Sequence, residues 1–148
     1  MNEKKISVLL VDDHQVVRAG FRMLLDSQPF IGSIVDVDRG ELACHEYERQ
    51  RPDVVVMDLS MPGIGGLETI RRLKKQDSQA TVLVYSIHDE SIYVERAIQA
   101  GAKGYVTKNS AAEVLAEAVL AVSQGKRYIE QDILPNIDDF RHPSDTLH

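Results

Sequence analysis

Continuous apolar runs alternate along this chain with segments in which apolar residues recur every three or four positions. One run, Val54-Val55-Val56-Met57, lies between Pro52 and Gly63 and stops at a single carboxylate, Asp58. A run of this kind is typical of a strand that is buried on both faces of a parallel sheet. Ligands collect outside the carboxyl ends of such strands. Asp58, as the last residue of the strand, is therefore a candidate functional residue.

Four further segments are predicted to be strands, and each of the five strands is followed by a helical pattern. The strands are predicted at residues 6–11, 34–37, 54–58, 81–86 and 104–108. The helices are predicted near residues 17–28, 40–51, 67–74, 92–100 and 111–123, with Gly101 as the cap of the fourth. Beyond residue 127 no periodic pattern continues, and the polar segment 128–148 contains two prolines, which is typical of a linker-like tail.

Five alternating strands and helices with short connections predict an α/β fold with helices on both faces of a parallel sheet. The expected architecture is a (βα)5 flavodoxin-like, doubly wound sheet with strand order 2-1-3-4-5, formed by residues 1–127. Strands one and three are neighbours in this order. The acids that end them, Asp12, Asp13 and Asp58, are then expected to converge. Ser86 and Lys108 reach the same edge from strands four and five.

Composition narrows the possible functions. A chain of 148 residues suits one domain, and its net charge of −6 with a pI near 5.3 argues against a nucleic-acid-binding surface. The single cysteine, Cys44, has no disulfide partner and no zinc-type spacing, so it is predicted to be a small core residue. No apolar stretch is long enough for a signal peptide or a membrane span. A cytoplasmic protein is expected.

Three neighbouring carboxylates repel one another, and a divalent cation removes that cost. Carboxylate oxygens and water are ligands that Mg²⁺ prefers. Simpler interpretations stay open for each residue: Asp12 or Asp13 caps the following helix, Asp58 is an ordinary loop acid, Ser86 is a satisfied hydroxyl, and Lys108 is a solvated charge. Together, however, the residues suit phosphoryl transfer to a carboxylate. Such a transfer needs positive charge on the phosphoryl oxygens, which Lys108 and a metal ion supply, and Ser86 adds a hydroxyl donor.

These motifs resemble the receiver domain of two-component response regulators, over roughly residues 6–125. The resemblance rests on the acidic pair after strand one, on Met57-Asp58-Leu59-Ser60-Met61-Pro62-Gly63, and on Ser86 and Lys108. Val11-Asp12-Asp13-His14, Ser86-Ile87-His88 and Gly125-Lys126-Arg127-Tyr128 are similar to the NarL/FixJ (LuxR-type) subfamily.

The resemblance implies a role for each site residue. Asp58 accepts phosphate from a sensor histidine kinase. Asp13, Asp58 and the Ser60 carbonyl hold Mg²⁺, and Asp12 helps through water. Ser86 and Lys108 assist the phosphoryl transfer, while Ser86 and Tyr105 form the conformational switch. The implied partners are the kinase and a second copy of the chain in a phosphorylation-dependent homodimer. The resemblance implies that DNA is bound only through a C-terminal helix-turn-helix domain, which is expected to be absent from this chain. No membrane partner is expected.

Three departures from the family pattern matter. Asn109 follows Lys108 where many receivers have proline, Ile87 is bulky where many have a small residue, and the DNA-binding domain that normally follows in this subfamily is expected to be absent from this chain. The alternative function is a Mg²⁺-dependent aspartyl-phosphate hydrolase of the haloacid-dehalogenase type. That class places a general acid two residues after its nucleophile, where this chain has Ser60. The chain is therefore expected not to be an enzyme beyond its own phosphorylation and dephosphorylation.

Overall fold

The computed structural model of the protein describes residues 4–61, 63–88, 90–108 and 112–130. Strands and helices alternate along the chain. The strands are β1 Ile6–Val11, β2 Ile31–Val37, β3 Val54–Asp58, β4 Val82–Ser86, β5 Gly104–Thr107 and β6 Tyr128–Ile129. The helices are α1 Gln15–Asp26, α2 Gly40–Gln50, α3 Gly65–Gln76, α4 Ser91–Ala100 and α5 Ala112–Ser123.

The strands form one parallel sheet in the order β2-β1-β3-β4-β5-β6. The predicted order 2-1-3-4-5 is confirmed. A sixth strand was not predicted: Tyr128 and Ile129 pair with Gly104 and Tyr105 of β5, although the sequence assigned them to the tail. Two residues are too few to produce a recognisable apolar pattern. The rest of the predicted tail, residues 131–148, lies outside the described residues.

Side chains alternate across the strands, so the sheet has a separate core on each face. One core packs α2, α3 and α4 against Val55 and Met57 of β3. The other packs α1 and α5 against Val54 and Val56 of the same strand. All five residues of β3 are buried, because helices cover both of its faces.

The element boundaries differ from the predictions by a few residues. Strand β2 begins at Ile31 rather than residue 34, because Ile31 pairs with Ile6 across an irregularity in the register. Gly101, with φ of 121°, ends α4 as predicted, a conformation that glycine adopts without steric cost. Cys44 is half-buried against the core of the α2 face, consistent with its predicted packing role. Among the helices described, none combines the length and apolar character needed to cross a membrane.

Candidate functional site

The carboxyl ends of the central strands meet at one edge of the sheet, as predicted. In the strand register, Val11 pairs with Met57, Asp58 with Tyr85, and Ser86 with Thr107. Asp12 and Asp13 directly follow β1, and Lys108 directly follows β5. The parallel topology thus brings all the predicted acidic residues, the serine and the lysine to the same place.

The acidic residues form a tight cluster. One ligand atom from each of Asp12, Asp13, His14 and Asp58 lies within 4.8 Å of the others. Asp12 and Asp58 are buried, and the Asp13 side chain is 26% exposed. Sequence reasoning did not place His14 among the site residues, although it follows the acidic pair directly. Its Nδ1 lies 3.2 Å from Asp12 Oδ1, 3.2 Å from Asp13 Oδ1 and 3.9 Å from Asp58 Oδ2.

Asp12 has hydrogen-bond donors on both of its carboxylate oxygens. Oδ1 accepts the His14 backbone N–H at 2.9 Å, and Oδ2 accepts the Tyr85 hydroxyl and lies 3.5 Å from Lys108 Nζ. Helix α1 has His14 as its N-cap and no side-chain cap, so the alternative in which an aspartate caps this helix is wrong. Burial opposes ionisation of Asp12. The bonds from Tyr85 and His14 and the charge of Lys108 outweigh burial and lower the pKa of Asp12.

Asp58 is less well satisfied than Asp12. Its Oδ1 accepts the Ser60 backbone N–H at 3.1 Å. Its Oδ2 lies 3.4 Å from Lys108 Nζ but accepts no hydrogen bond from the described residues. Burial raises the pKa of Asp58, and the nearby Asp12 carboxylate adds to the rise, although Lys108 and the Ser60 N–H oppose it. Asp58 is therefore a carboxylate whose negative charge is only partly compensated.

The unsatisfied carboxylate oxygens make the cluster suitable for a cation. Within the described part of the chain, buried Oδ1 of Asp13 and Oδ2 of Asp58 accept no hydrogen bond. Buried carboxylate oxygens in this condition are costly unless a donor or a positive charge meets them. The donor set consists mainly of carboxylate oxygens, which are hard ligands of the kind that Mg²⁺ binds. The residues present fit the predicted ion.

Lys108 is not the solvated charge considered as its simpler alternative. Its side chain is 11% exposed, and Nζ lies 3.4 Å from Asp58 and 3.5 Å from Asp12. Its backbone N–H donates to the Ser86 carbonyl at 2.8 Å, which ties the residue to the end of β4. Asn109, whose effect on Lys108 was in question, lies outside the described residues.

Ser86 and Tyr105 are connected through the backbone of His88. The buried Ser86 Oγ accepts the His88 N–H at 3.1 Å, and the Tyr105 hydroxyl donates to the His88 carbonyl at 2.6 Å. The His88 ring stacks on Tyr93 of α4 with ring centroids 4.1 Å apart. Tyr105 is buried within the core on the α2, α3 and α4 face, so its ring points inward in this structure. Ile87, between Ser86 and His88, is 62% exposed.

Tyr85 is a second residue that sequence reasoning missed. Its ring belongs to the core on the α1 and α5 face and packs edge-on against Phe21, with centroids 4.7 Å apart. Its hydroxyl reaches Asp12, two strands away in the sheet. Burial and the Asp12 carboxylate raise the pKa of Tyr85, so the phenol remains a proton donor. The predicted strand 81–86 gave a buried side chain at this position, but nothing in its pattern signalled a contact with the residue that follows β1.

Comparisons with known proteins agree with this arrangement. Residues 8–120 match the family model described as the response regulator receiver domain. Transcriptional regulatory protein DegU of Brevibacillus brevis is 39% identical over 137 residues, covering 93% of this chain and 58% of that protein. Response regulator UvrY of Escherichia coli strain K12 is 40% identical over 128 residues, covering 86% of this chain and 59% of that protein. The chain thus spans less than two thirds of the length of these curated relatives.

Solved structures are similar as well. A LuxR-family two-component response regulator from Aurantimonas sp. SI85-9A1 superposes with a TM-score of 0.89 and 36% identity, covering 93% of this chain and 99% of that one. The receiver domain of the putative response regulator NarL from Mycobacterium tuberculosis gives a TM-score of 0.80 and 30% identity, covering 84% and 100%. These matches support the receiver interpretation and the predicted subfamily, and they give no support to the hydrolase alternative. The chain belongs to the response regulator receiver domain family.

Proposed function

We propose that Asp58 accepts a phosphoryl group from a sensor histidine kinase in a Mg²⁺-dependent reaction. The observation that carries this proposal is the state of Asp58 Oδ2. This buried oxygen accepts no hydrogen bond from the described residues and lies 3.4 Å from the Lys108 ammonium. A carboxylate oxygen with its lone pairs available beside a fixed positive charge suits nucleophilic attack on phosphorus.

In the proposed reaction, Asp58 Oδ2 forms a bond to phosphorus while the bond from phosphorus to the donor imidazole nitrogen breaks. The electron pair of that bond leaves with the imidazole. The phosphoryl oxygens carry the negative charge throughout the transfer, so the main requirement is positioned positive charge and hydrogen-bond donors. Lys108 supplies the charge. Ser86, at the end of the neighbouring strand, supplies the hydroxyl donor once it releases its contact with His88.

Asp13, Asp58 and the Ser60 carbonyl are the proposed Mg²⁺ ligands, with Asp12 acting through water. When bound, the ion neutralises the carboxylates and supplies further positive charge to the phosphoryl oxygens. The hydrogen bonds of the three acids support this division between Asp12 and the other two. Asp12 has donors on both oxygens, whereas Asp13 and Asp58 each present an oxygen that accepts no hydrogen bond from the described residues.

The proposed output runs from Ser86 to Tyr105 through His88. A phosphoryl group on Asp58 adds charge and strong acceptors within reach of the Ser86 hydroxyl. When Ser86 rotates toward the phosphoryl group, the His88 N–H loses its acceptor. The carbonyl of His88 accepts the Tyr105 hydroxyl, so the change at Ser86 is passed to Tyr105 through His88. The β4–α4 connection and the adjoining surface of α4, β5 and α5 then favour a second arrangement, so phosphorylation shifts a pre-existing equilibrium.

We propose that this switch operates in the cytoplasm as part of a longer regulator. In this proposal residues 1–127 form its receiver domain together with the paired strand β6, the segment beyond β6 leads toward a DNA-binding domain, and a phosphorylation-dependent homodimer controls transcription. DegU is itself described as a transcriptional regulatory protein, which supports this output. The receiver alone has no catalytic role beyond its own phosphorylation and dephosphorylation. Ser60, rather than an acid, two residues after Asp58 disfavours hydrolysis of other substrates.

The test is intact mass after incubation with acetyl phosphate and Mg²⁺. The wild type is expected to gain one phosphoryl group, and Asp58→Asn to gain none. Asp53→Asn is the matched control, because Asp53 flanks the opposite end of the same strand and its carboxylate bonds to Ser7 rather than to the site. A wild type without mass gain, or a gain retained by Asp58→Asn, would show that the acceptor was misassigned.

Dimerisation is tested separately by sedimentation with and without beryllofluoride as a phosphoryl mimic. The wild type is expected to associate more strongly when the mimic is bound, and Asp58→Asn to be unaffected by it. Identical sedimentation of the wild type in both conditions over a wide concentration range would contradict phosphorylation-driven dimerisation of this chain.

A further inference from the structure

Tyr85 joins the hydrophobic core to the acidic site. Tyr85 is fully buried, and its ring packs against Phe21 of α1. The hydroxyl, at the other end of the side chain, donates to Oδ2 of the buried Asp12. A tyrosine ring has two side-chain torsions, so a ring that is fixed by packing carries its hydroxyl to a defined point.

The hydrogen bond from Tyr85 fixes the orientation of the Asp12 carboxylate. The His14 N–H binds one oxygen of Asp12, and the Tyr85 hydroxyl binds the other. Held from both sides, the carboxylate cannot rotate without leaving a buried donor or acceptor unsatisfied, which is costly. Asp12 is therefore a fixed negative charge beside Asp58, and its orientation depends on a residue from β4.

The same tyrosine also contacts Lys108. The ammonium lies 4.9 Å from the centroid of the Tyr85 ring, within the range of a cation–π interaction. It is also 3.5 Å from Asp12 and 3.4 Å from Asp58. The Lys108 ammonium thus lies near the aromatic ring, the Asp12 carboxylate and the proposed acceptor at the same time.

We propose that Tyr85 is a positioning residue: its hydroxyl fixes Asp12, and its ring together with Asp12 holds the Lys108 ammonium against Asp58. This inference rests on the proposed function, because Lys108 placed there stabilises the phosphoryl group as it is transferred. Without the hydroxyl, Asp12 Oδ2 lacks its donor. The Lys108 ammonium, 3.5 Å from that oxygen, is then drawn toward Asp12 and away from Asp58.

The chain offers a matched control for this idea. Tyr47 also donates its hydroxyl to an aspartate, Asp77, at 2.8 Å, but does so near the amino ends of the strands. Tyr85→Phe and Tyr47→Phe therefore remove the same kind of hydrogen bond from a mostly buried ring. A purely structural role for Tyr85 predicts that the two variants behave alike toward phosphorylation.

The experiment measures phosphoryl incorporation from acetyl phosphate at saturating Mg²⁺, together with the Mg²⁺ Kd by calorimetry. Tyr85→Phe is expected to slow incorporation roughly tenfold, the size of effect typical of groups that orient a functional residue. Its Mg²⁺ Kd is expected to change by less than about threefold, because Asp13 and Asp58 offer the oxygens free for the ion. Tyr47→Phe is expected to match the wild type in both measurements.

Two further readouts separate positioning from general destabilisation. In a Lys108→Ala background, Tyr85→Phe is expected to cause no additional slowing, because its effect acts through the lysine. In the unphosphorylated protein, the Lys108 ammonium resonance in proton–nitrogen spectra is expected to exchange slowly in the wild type and in Tyr47→Phe. It is expected to broaden in Tyr85→Phe, where the lysine is no longer held.

If the wild type is phosphorylated and Tyr85→Phe incorporates the phosphoryl group at the same rate, the inference is overturned while the proposed function stays intact. A wild type that takes up no phosphoryl group would instead contradict the proposed function, and the Lys108 resonance would then decide the role of Tyr85. If Tyr85→Phe does not fold, contacts between the Lys108 side-chain protons and the Tyr85 ring in the wild type provide the test. Their absence would likewise reject the positioning role.

Discussion

Aspartates at the two ends of the sheet have opposite surroundings. At the amino end of the strands, Asp77 accepts hydrogen bonds from Tyr47, Arg51 and the Gln79 N–H. The Gln79 N–H makes the largest contribution to the lowered pKa of Asp77, and the Tyr47 hydroxyl and the charge of Arg51 lower this pKa further. At the carboxyl end, Asp58 has one oxygen that accepts no hydrogen bond from the described residues, and burial raises its pKa.

The contrast distinguishes aspartates that connect elements of the fold through hydrogen bonds from aspartates that are held in place with an oxygen left available to a ligand. Asp77 and Asp53 connect elements through their oxygens, since Asp53 binds the N–H and hydroxyl of Ser7 at 2.9 and 3.2 Å. Asp13 and Asp58 each have a buried oxygen that accepts no hydrogen bond from the described residues. A folded protein keeps under-bonded charges mainly where they serve a ligand or a reaction.

The largest effect is expected at Asp13. Asp13→Ala removes one of the two buried carboxylate oxygens that accept no hydrogen bond from the described residues, so we expect Mg²⁺ affinity to fall more than about tenfold, since even indirect partners of metal sites cost that much. Phosphoryl incorporation at millimolar Mg²⁺ is expected to disappear with it. Calorimetry and intact mass measure the two quantities. A variant phosphorylated at the wild-type rate would contradict the assignment of Asp13 as a ligand.

The opposite result is expected at the amino end. Asp53→Ala leaves the Ser7 N–H and hydroxyl without their carboxylate acceptor, which we expect to lower the free energy of unfolding by about 1 to 2 kcal/mol. Phosphorylation is expected to continue at the wild-type rate whenever the variant is folded. Urea denaturation followed by circular dichroism measures the stability. Unchanged stability would mean that water replaces the lost acceptor.

A smaller change of the opposite sign is expected at Asp58. Because the folded-state pKa of Asp58 lies above its unfolded value, ionisation of this residue opposes folding. That cost is absent below the unfolded pKa and develops fully as the pH rises through the folded pKa. Asp58→Asn is therefore expected to increase the free energy of unfolding at pH 7 without Mg²⁺, because the amide carries no charge to bury.

Denaturation across a pH series checks this prediction. The gain from Asp58→Asn is expected to vanish below about pH 4, where both states of the wild type carry a protonated carboxyl group. Asp77→Asn provides the contrast. The folded pKa of Asp77 is lowered, so its ionised form stabilises the protein above the unfolded pKa, and that stability is lost as the pH falls through the folded value. An Asp58→Asn variant less stable than the wild type at pH 7 would reverse our interpretation of the site.

The smallest effect is expected from Lys4. Its side chain is 84% exposed, and Nζ lies 3.6 Å from Asp53 Oδ1. Exposed ion pairs contribute little, so Lys4→Ala is expected to change the free energy of unfolding by less than about 0.5 kcal/mol. The same denaturation experiment measures it. A loss comparable to that of Asp53→Ala would show that the ion pair, rather than the bonds to Ser7, secures this end of β3.

Much of this comparison was accessible from the sequence. The apolar runs before Asp12 and Asp58 predicted two buried strands, and the parallel order placed their ends side by side, together with Ser86 and Lys108. These inferences succeed because burial on both faces produces a long apolar run, and because parallel strands all end at the same edge.

Contacts that depend on distances across the sheet were not accessible in this way. Tyr85 belongs to an apolar run, and a core ring has the same sequence pattern whether or not its hydroxyl reaches a carboxylate two strands away. His14 follows the acidic pair, but its proximity to three carboxylates depends on how the chain turns into α1. The direction of these side chains follows from packing rather than from periodicity.

The sixth strand also affects how the protein behaves in concentrated solution. The open side of β5 is covered by Tyr128 and Ile129, while the Glu130 N–H and carboxylate bond to Tyr105 and Thr107. An uncovered strand would offer a row of backbone donors and acceptors to another chain. Within the described residues, this side of the sheet ends in β6, a strand of two residues. So short an edge offers little template for the strand pairing that initiates aggregation.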